Sequence, residues 1–324
     1  MGRRIHAGRT SGSLLVAVVV AVAVMAALLA VAYVAVRQRT VQARARLDAA
    51  TLESSAAEIV RVGMARLADD PDRAIDSLHD PWAQPAEFEL PNGVAVALAI
   101  DDEQRRFDLN NLAATPGPGR SPREIADDLF TLCGDLVPAR RLDALEAWMR
   151  GEGAATPGLR LEAEAAYASP GGRLHAWPEL LMAPGMDLDY LLDLTQGSGQ
   201  ETFRGRLLDH LALLPVDRAQ PIPVNLNTAG RHVLLAVLGI GEEPLVERIL
   251  TTRRQVPLPS VALAIGERED LQPVAERYLA VRSRYFTIRA RAFLAGQAHQ
   301  VEALVAREDD GEVRVVRWQE GRVP

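Results

Sequence analysis

Between Ser13 and Val36 the chain carries no charged residue, and Leu14–Val36 is apolar throughout apart from the Tyr33 hydroxyl. No other feature constrains the fold as tightly. As a helix rising about 1.5 Å per residue, the run is about 34 Å long, enough to cross the hydrocarbon core of a bilayer. A surface helix of a soluble domain would need a polar face, and none is present. A secretory signal has an apolar stretch of only about 7–15 residues with a small-residue cleavage site behind it. Here Arg37-Gln38-Arg39 follows instead. The run predicts a transmembrane helix over 13–36. No second run of that length occurs, so the chain is expected to cross once and to carry 288 residues beyond the span. Arg3, Arg4 and Arg9 precede the span and Arg37, Arg39, Arg44 and Arg46 follow it, so charge alone does not set the orientation.

The helical pattern continues beyond the span. Leu47, Leu52, Ala56, Ile59, Val60 and Leu67 recur at near-helical spacing, and no proline appears before Pro71. The expectation is one helix of about fifty residues, apolar all round in its first half and amphipathic in its second, with Gly63 its weak point. The stripe on the second half needs a layer to pack on. Phe88–Leu90 and Val94–Ile100, on either side of Pro91-Asn92-Gly93, read as a β-hairpin, with Arg105–Leu109 a further strand. Tyr285–Leu294, Gln300–Ala306 and Val313–Trp318, separated by short polar turns, read as an antiparallel meander. The stretch between these two groups of strands reads helical.

That stretch holds an echo. Phe107-Asp108-Leu109-Asn110-Asn111-Leu112 and Val224-Asn225-Leu226-Asn227-Thr228-Ala229 align at a spacing of 117 residues. Each puts asparagine where an extended segment meets a helical pattern, so Asn110, Asn111, Asn225 and Asn227 are expected to cap helices. Behind the second copy, two helical patterns flank Leu238-Gly239-Ile240-Gly241. A looser version of the same arrangement surrounds Pro184-Gly185-Met186.

Composition removes several classes of chemistry. All 36 basic residues are arginine, which excludes a Schiff-base lysine and a Walker phosphate loop. The one cysteine, Cys133, excludes an intrachain disulfide and a multi-cysteine zinc site. The six histidines form no HExxH pair, and no Gly-x-Ser-x-Gly elbow occurs. The acidic pairs Asp69-Asp70, Asp101-Asp102 and Asp127-Asp128 read as solvated turns and helix surfaces. No catalytic residue and no cofactor are expected.

The chain resembles the minor pseudopilins of the K class of type II secretion, also called general secretion pathway protein K. The apolar start, the Arg106-Phe107-Asp108-Leu109-Asn110 and Val224–Ala229 segments and the closing meander carry the resemblance over nearly the whole chain. It implies an α+β fold in which a long N-terminal helix packs on an antiparallel, pilin-like sheet, with a large all-α insertion. The expected divisions are a prepilin leader over 1–12, the transmembrane helix over 13–36, a pilin-like domain from 37–111 and 281–324, and a helical insertion over 112–280. The resemblance also implies cleavage between Gly12 and Ser13 by the prepilin peptidase on the cytoplasmic side, and methylation of the new N-terminus. The alternative junction, Gly8-Arg9, would leave an arginine there. Most pilin-like subunits carry glutamate at the fifth mature position, whereas this sequence has Ala17. K-class subunits are similar in lacking that carboxylate, which suits a subunit that starts a filament. Some relatives bind calcium through clustered aspartates. The comparable stretch here, Trp148–Tyr167, offers only Glu152, Glu162 and Glu164, so no metal is expected.

The resemblance thus implies a structural, non-enzymatic tip subunit of the pseudopilus in the inner membrane, with its N-terminus cytoplasmic and its globular part periplasmic. Implied partners are the minor pseudopilins I and J, the major pseudopilin below, the prepilin peptidase and the inner-membrane assembly platform. The alternative is a membrane-anchored DNA-binding protein using Leu238–Gly241 as a helix-hairpin-helix turn. Glu242 and Glu243 directly after the turn, and a net charge of -7, oppose phosphate binding, so no nucleic acid partner is expected.

Overall fold

The computed structural model describes residues 11–152, 169, 171–186, 190–191, 207–215 and 220–322, with side chains from Leu15 onward. The leader positions before Ser11, including the Gly8-Arg9 junction, together with Glu162 and Glu164, lie outside the described residues.

Helix α1 runs unbroken over Ser11–Ala68. Among the described residues it is the one helix long and apolar enough to cross a membrane. Its first half is exposed on all sides. Burial begins at Leu52 and continues through Ala56, Ile59, Val60 and Leu67, while Leu47 is 68% exposed. The expected stripe therefore starts one step later than its spacing indicated: at about 100° per residue Leu47 falls on the side of α1 opposite Ala56, while Ala45, Arg46 and Ala49 are the residues that face the sheet there.

That sheet has the strand order β1-β2-β7-β8-β9, antiparallel throughout. β1 (Ala86–Glu89) and β2 (Ala95–Asp102) precede the helical stretch. β7 (Tyr285–Leu294), β8 (Gln297–Arg307) and β9 (Val313–Arg322) follow it. The β7–β8 turn has two residues, Ala295 (φ 50°) and Gly296 (φ 78°), the left-handed pair that matches the twist of a tight hairpin. Alternation sends Val96, Leu98 and Ile100 of β2 and Phe286, Ile288, Ala290 and Ala292 of β7 into one core with α1. Trp82 closes that core, edge-on to Phe286 at 5.1 Å. Gly63 is a contact point and no weak point: a Cβ there would sit 2.7 Å from Ile288 Cγ2 and 3.2 Å from Leu98 Cδ1. The bare helix surface lets α1 settle onto the sheet.

Between β2 and β7 lie β3 (Phe107–Asp108), α2 (Pro122–Leu132), α3 (Pro138–Met149), α4 (Trp177–Leu180), β4 (Leu211–Ala212) and β5 (Val224–Asn225). Then come α5 (Arg231–Leu238), α6 (Glu243–Gln255), α7 (Val261–Ile265), α8 (Gln272–Tyr278) and β6 (Leu279–Ala280). They build a second core that already includes Phe107 and Leu109, ahead of residue 112, and ends at Leu279. The strand expected over 105–109 shrinks to two residues and joins this unit through β4, not the large sheet. A third, small cluster seals the two units: Ala212 and Leu214 lie against Tyr285, Leu304 and Ala306.

Candidate functional site

Gly12 and Ser13 lie at the start of α1, where the backbone alone is described. Ala17 sits in the exposed apolar length of the same helix, among Leu15, Val16, Val18, Val19 and Val20, each more than half exposed. A patch of that extent is unfavourable in water. Lipid or the apolar flanks of other helices would accept it.

None of the four asparagines caps a helix. α2 begins at Pro122 under a capping box from Ser121 and Glu124, and α5 follows Gly230, which has no side chain to cap with. The asparagines instead bridge distant backbone. Asn110 Oδ1 accepts from Leu174 N at 2.8 Å, and its Nδ2 donates to Leu174 O at 2.9 Å and Leu214 O at 3.1 Å. Asn111 pairs in the same way with Ile222 (2.8 and 3.0 Å), and Asn227 with Leu258 (2.9 and 3.0 Å). A primary amide presents acceptor and donor side by side, matching the C=O and N–H of one extended residue. Asn225 departs from this pattern, because its Oδ1 accepts from Asn227 N at 2.9 Å.

The echo in sequence is therefore an echo in structure. Each copy opens with a two-residue parallel bridge, β3 on β4 and β5 on β6. The residue closing the bridge, Asp108 or Asn225, turns its Oδ1 onto the N–H two positions on. The next asparagine, Asn110 or Asn227, then holds a remote strand of backbone.

Asn225 leads to a buried polar junction between the loop that follows α1, the sheet and the helical unit. Its Nδ2 faces Asp102 Oδ2 (3.0 Å), Ser283 Oγ (2.9 Å) and Asp76 O (3.0 Å). Asp102 Oδ2 also accepts from Thr228 Oγ1 (2.6 Å) and Ser283 Oγ (2.7 Å). Asp76 accepts from Ser283 N (2.7 Å) and, through both oxygens, from Arg307 Nη2 (2.6 and 2.5 Å). Arg307 Nη1 reaches Asp70 Oδ2 at 3.1 Å, and the guanidinium lies 5.0 Å from the Phe286 ring centre. Gln104 spans the remaining gap, donating to Pro223 O (2.9 Å) and accepting from Arg284 N (2.6 Å).

Asp70 and Asp102 are thus buried network members, contrary to the solvated reading of their acidic pairs. Loss of water drives the electrostatics here. Burial pushes Asp76 up to about 7 against the pull of Arg307, and it raises Asp70 and Asp102 in the same direction. One carboxylate oxygen from each of Asp70, Asp76 and Asp80 lies within 4.8 Å of the others, a spacing that could hold a cation. The Arg307 guanidinium is already paired with two of them, so a metal there would have to displace it. Asp80 is engaged by Ser77 N (2.7 Å) and Trp82 Nε1 (3.1 Å).

The remaining candidate groups serve the helical core. Cys133 is buried, and burial pushes its thiol up to about 12, where no thiolate forms at neutral pH. His210 and His232 stack edge-on at 5.0 Å, and burial with its neighbour takes His210 down to about 4. At the Leu238–Gly241 turn, Gly239 adopts φ 118° and Glu242 accepts two bonds from Arg268, at 2.9 and 2.7 Å. Arg253 donates into the protein, to Leu226 O at 2.5 Å. The turn thus presents a carboxylate–guanidinium pair where a phosphate would have to approach.

One chain of the crystal structure of the GspK-GspI-GspJ complex from the enterotoxigenic Escherichia coli Type 2 Secretion System superposes on this chain with a TM-score of 0.67. The match covers 86% of this chain and 99% of that one, at 18% sequence identity. The fold is GspK-like. No protein-family model matches the chain, and no curated protein matches it in sequence. At this identity the likeness is a likeness of fold.

Proposed function

We propose that the chain is a K-class minor pseudopilin, a structural subunit that sits at the tip of a type II secretion pseudopilus and supports export across the outer membrane. The observation that carries this reading is the combination of a GspK-like fold with Ala17 in the exposed apolar length of α1. A carboxylate at that depth costs several kcal/mol unless paired. A subunit that carries one is built to receive a neighbour's N-terminal amine, and alanine receives nothing. The amine of this chain can still approach the glutamate of a subunit below. Binding then runs one way only, and such a subunit begins or ends a polymer.

In this reading α1 anchors the chain in the inner membrane, N-terminus in the cytoplasm and globular part in the periplasm. The prepilin peptidase cuts between Gly12 and Ser13 and the new amine is methylated. α1 packs on the sheet, and the buried junction from Arg307 to Asn225 joins the sheet to the helical unit, which is the route by which displacement of the anchor would reach the tip. Partners are the minor pseudopilins I and J, by analogy with the GspK-GspI-GspJ complex, then the major pseudopilin and the assembly platform. The role is assembly, with neither catalysis nor nucleic acid binding.

Co-expression of the full chain with the I and J subunits of its own host, followed by mild detergent extraction, tests the reading. One complex containing all three is expected, with an intact mass for this chain that starts at a methylated Ser13. A chain that elutes without either partner, or retains Met1 in a host with the peptidase, overturns it.

A further inference from the structure

The apolar length of α1 gives way to a run of cations. Arg37, Arg39, Arg44 and Arg46 lie between Val36 and Leu47, and Asp48 is the first acidic residue of the chain. In a sequence of net charge -7 this is a local reversal of sign. All four arginines are exposed. Further along α1, Arg61 is held by Glu58 and Arg66 by the Gln84 carbonyl. Among the described residues, Arg37, Arg39 and Arg44 have neither an ion pair nor a hydrogen bond. Arg46 is set apart, because it lines a pocket at the end of the sheet together with Glu53 and Glu320.

The position of these three arginines along α1 matches a membrane surface. A hydrocarbon core of about 30 Å in a bilayer of about 40–45 Å leaves about 5–8 Å of headgroup layer on each side. Arg37 and Arg39 lie about 1.5 and 4.5 Å along the axis past Val36, inside that layer. Arg44 lies about 12 Å past it, and helical side chains lean toward the N-terminus, which returns its guanidinium toward the membrane. Tyr33, one turn before Arg37 and 68% exposed, is an aromatic of the kind enriched at that boundary. Direction around the helix points to the occupant. Arg37 and Arg44 share one flank, about 20° apart, and Arg39 lies on the other, about 200° round from Arg37. A protein partner covers one flank, whereas lipid surrounds the helix, and guanidinium groups pair well with phosphate.

We propose that Arg37, Arg39 and Arg44 bind the headgroups of anionic phospholipids on both flanks of α1. The binding rests on the membrane-anchor part of the proposed function, and on neither its tip position nor its partners.

In the test, the full chain is assembled into nanodiscs of equal parts phosphatidylglycerol and phosphatidylcholine and released into mild detergent. Native mass spectrometry then counts the lipids that stay bound. Both lipids carry phosphate and only phosphatidylglycerol has a net charge, so their ratio reads the electrostatic preference. One basic residue at an anionic surface is worth about fivefold, so phosphatidylglycerol should be retained over phosphatidylcholine by at least that factor, and less at raised salt. Arg37→Gln, Arg39→Gln and Arg44→Gln combined should bring the ratio to about one. Arg39→Gln alone, and Arg37→Gln with Arg44→Gln, should each lower it in part. Arg61→Gln, also exposed but far from the span, should leave it unchanged. All of these side chains are exposed, so the variants keep the fold. Equal retention of the two lipids by wild type, an unchanged ratio in the triple variant, an equal fall with Arg61→Gln, or a preference carried wholly by one flank, as for a protein partner, overturns the proposal and leaves the anchor reading in place. A chain that does not enter the nanodisc overturns both.

Discussion

Replacing Asn227 with alanine removes both hydrogen bonds to Leu258 at once, 2.9 Å from its N–H and 3.0 Å to its C=O. Asn227 is 2% exposed and Leu258 5%, so water has poor access to the backbone groups left behind. Each buried, unpaired peptide group costs about 1–3 kcal/mol. Allowing for some relaxation of the loop, the expected loss is about 2–4 kcal/mol, a large share of the about 5–15 kcal/mol that holds a domain together. Asn227→Asp separates the two bonds. The carboxylate still accepts from Leu258 N–H but sets a second oxygen against Leu258 C=O, and burial raises its pKa. Protonated, it donates to that carbonyl and restores the pair. Its folded pKa then lies above the unfolded value of about 4, so the aspartate variant should lose stability as pH climbs through that window. Urea unfolding of the full chain in detergent, followed by near-UV circular dichroism at pH 5 and pH 8, reads this. If the alanine variant stays within about 0.5 kcal/mol of wild type, or the aspartate variant matches wild type at pH 8, the bridging role is refuted.

Three further outcomes follow from the same structure. Gly63→Ala gains about 1 kcal/mol of helix propensity but drives a Cβ to 2.7 Å from Ile288 Cγ2, so a net loss of about 1–2 kcal/mol is expected; a higher melting temperature for the variant would count against close packing there. Asp108 is buried, its Oδ2 has no hydrogen-bond partner among the described residues, and burial pushes it up to about 7, so wild type should lose stability from about pH 4 to 7 and Asp108→Asn, which keeps only the contribution of Asp76 and its neighbours, should lose less. The variant should compare better with wild type at pH 8 than at pH 5, and parallel profiles would refute the assignment. Ala17→Glu should lower membrane-inserted protein and secretion, at a cost of about 2–3 kcal/mol for an ionised carboxylate, and unchanged levels of both would remove Ala17 from the argument.

Much of the fold was legible because its periodicities are long and clean. The apolar run and the stripe from Leu52 to Leu67 describe α1, and the alternation of Phe286, Ile288, Ala290 and Ala292 describes the central strand. What alternation alone could not supply was strand order. That β2 pairs with β7 across the helical stretch follows from shared burial against α1, a tertiary fact. The 105–109 segment was misplaced for a related reason. Phe107 and Leu109 are apolar and alternate, but their buried partners lie in the helical core, and the segment pairs with Leu211–Ala212, too short a strand to recognise in sequence.

The polar junction was half visible. Extending the alternation of Val96, Leu98 and Ile100 by one step puts Asp102 on the inward face, and extending Val301, Ala303 and Val305 by one step does the same for Arg307. Both residues were easy to discount because charged side chains are rarely buried unless paired, and their partners are remote in sequence. Asp70 and Asp76 meet Arg307 across more than 230 residues.

The asparagines show how one residue separates the two copies of the echo. In the first copy, Asp108 Oδ1 faces two backbone donors, Asn110 N and Leu214 N, and Oδ2 meets no acceptor that would call for a donor in its place. The second copy needs the same Oδ1 for Asn227 N, but its other terminal atom looks onto Asp102 Oδ2 and the Asp76 carbonyl. An acceptor there would set oxygen against oxygen in a site that water does not reach, whereas an amide turns the same shape into a donor. The difference between Asp108 and Asn225 therefore reflects their neighbours: the first copy closes within the helical unit, and the second ties that unit to the loop after α1 through Asp76 and to the sheet through Asp102. A subunit pulled by its N-terminal helix would carry load through that second copy, beside which the buried Arg307 guanidinium, the three buried carboxylates of Asp70, Asp76 and Asp102, and the Asn225 amide are gathered.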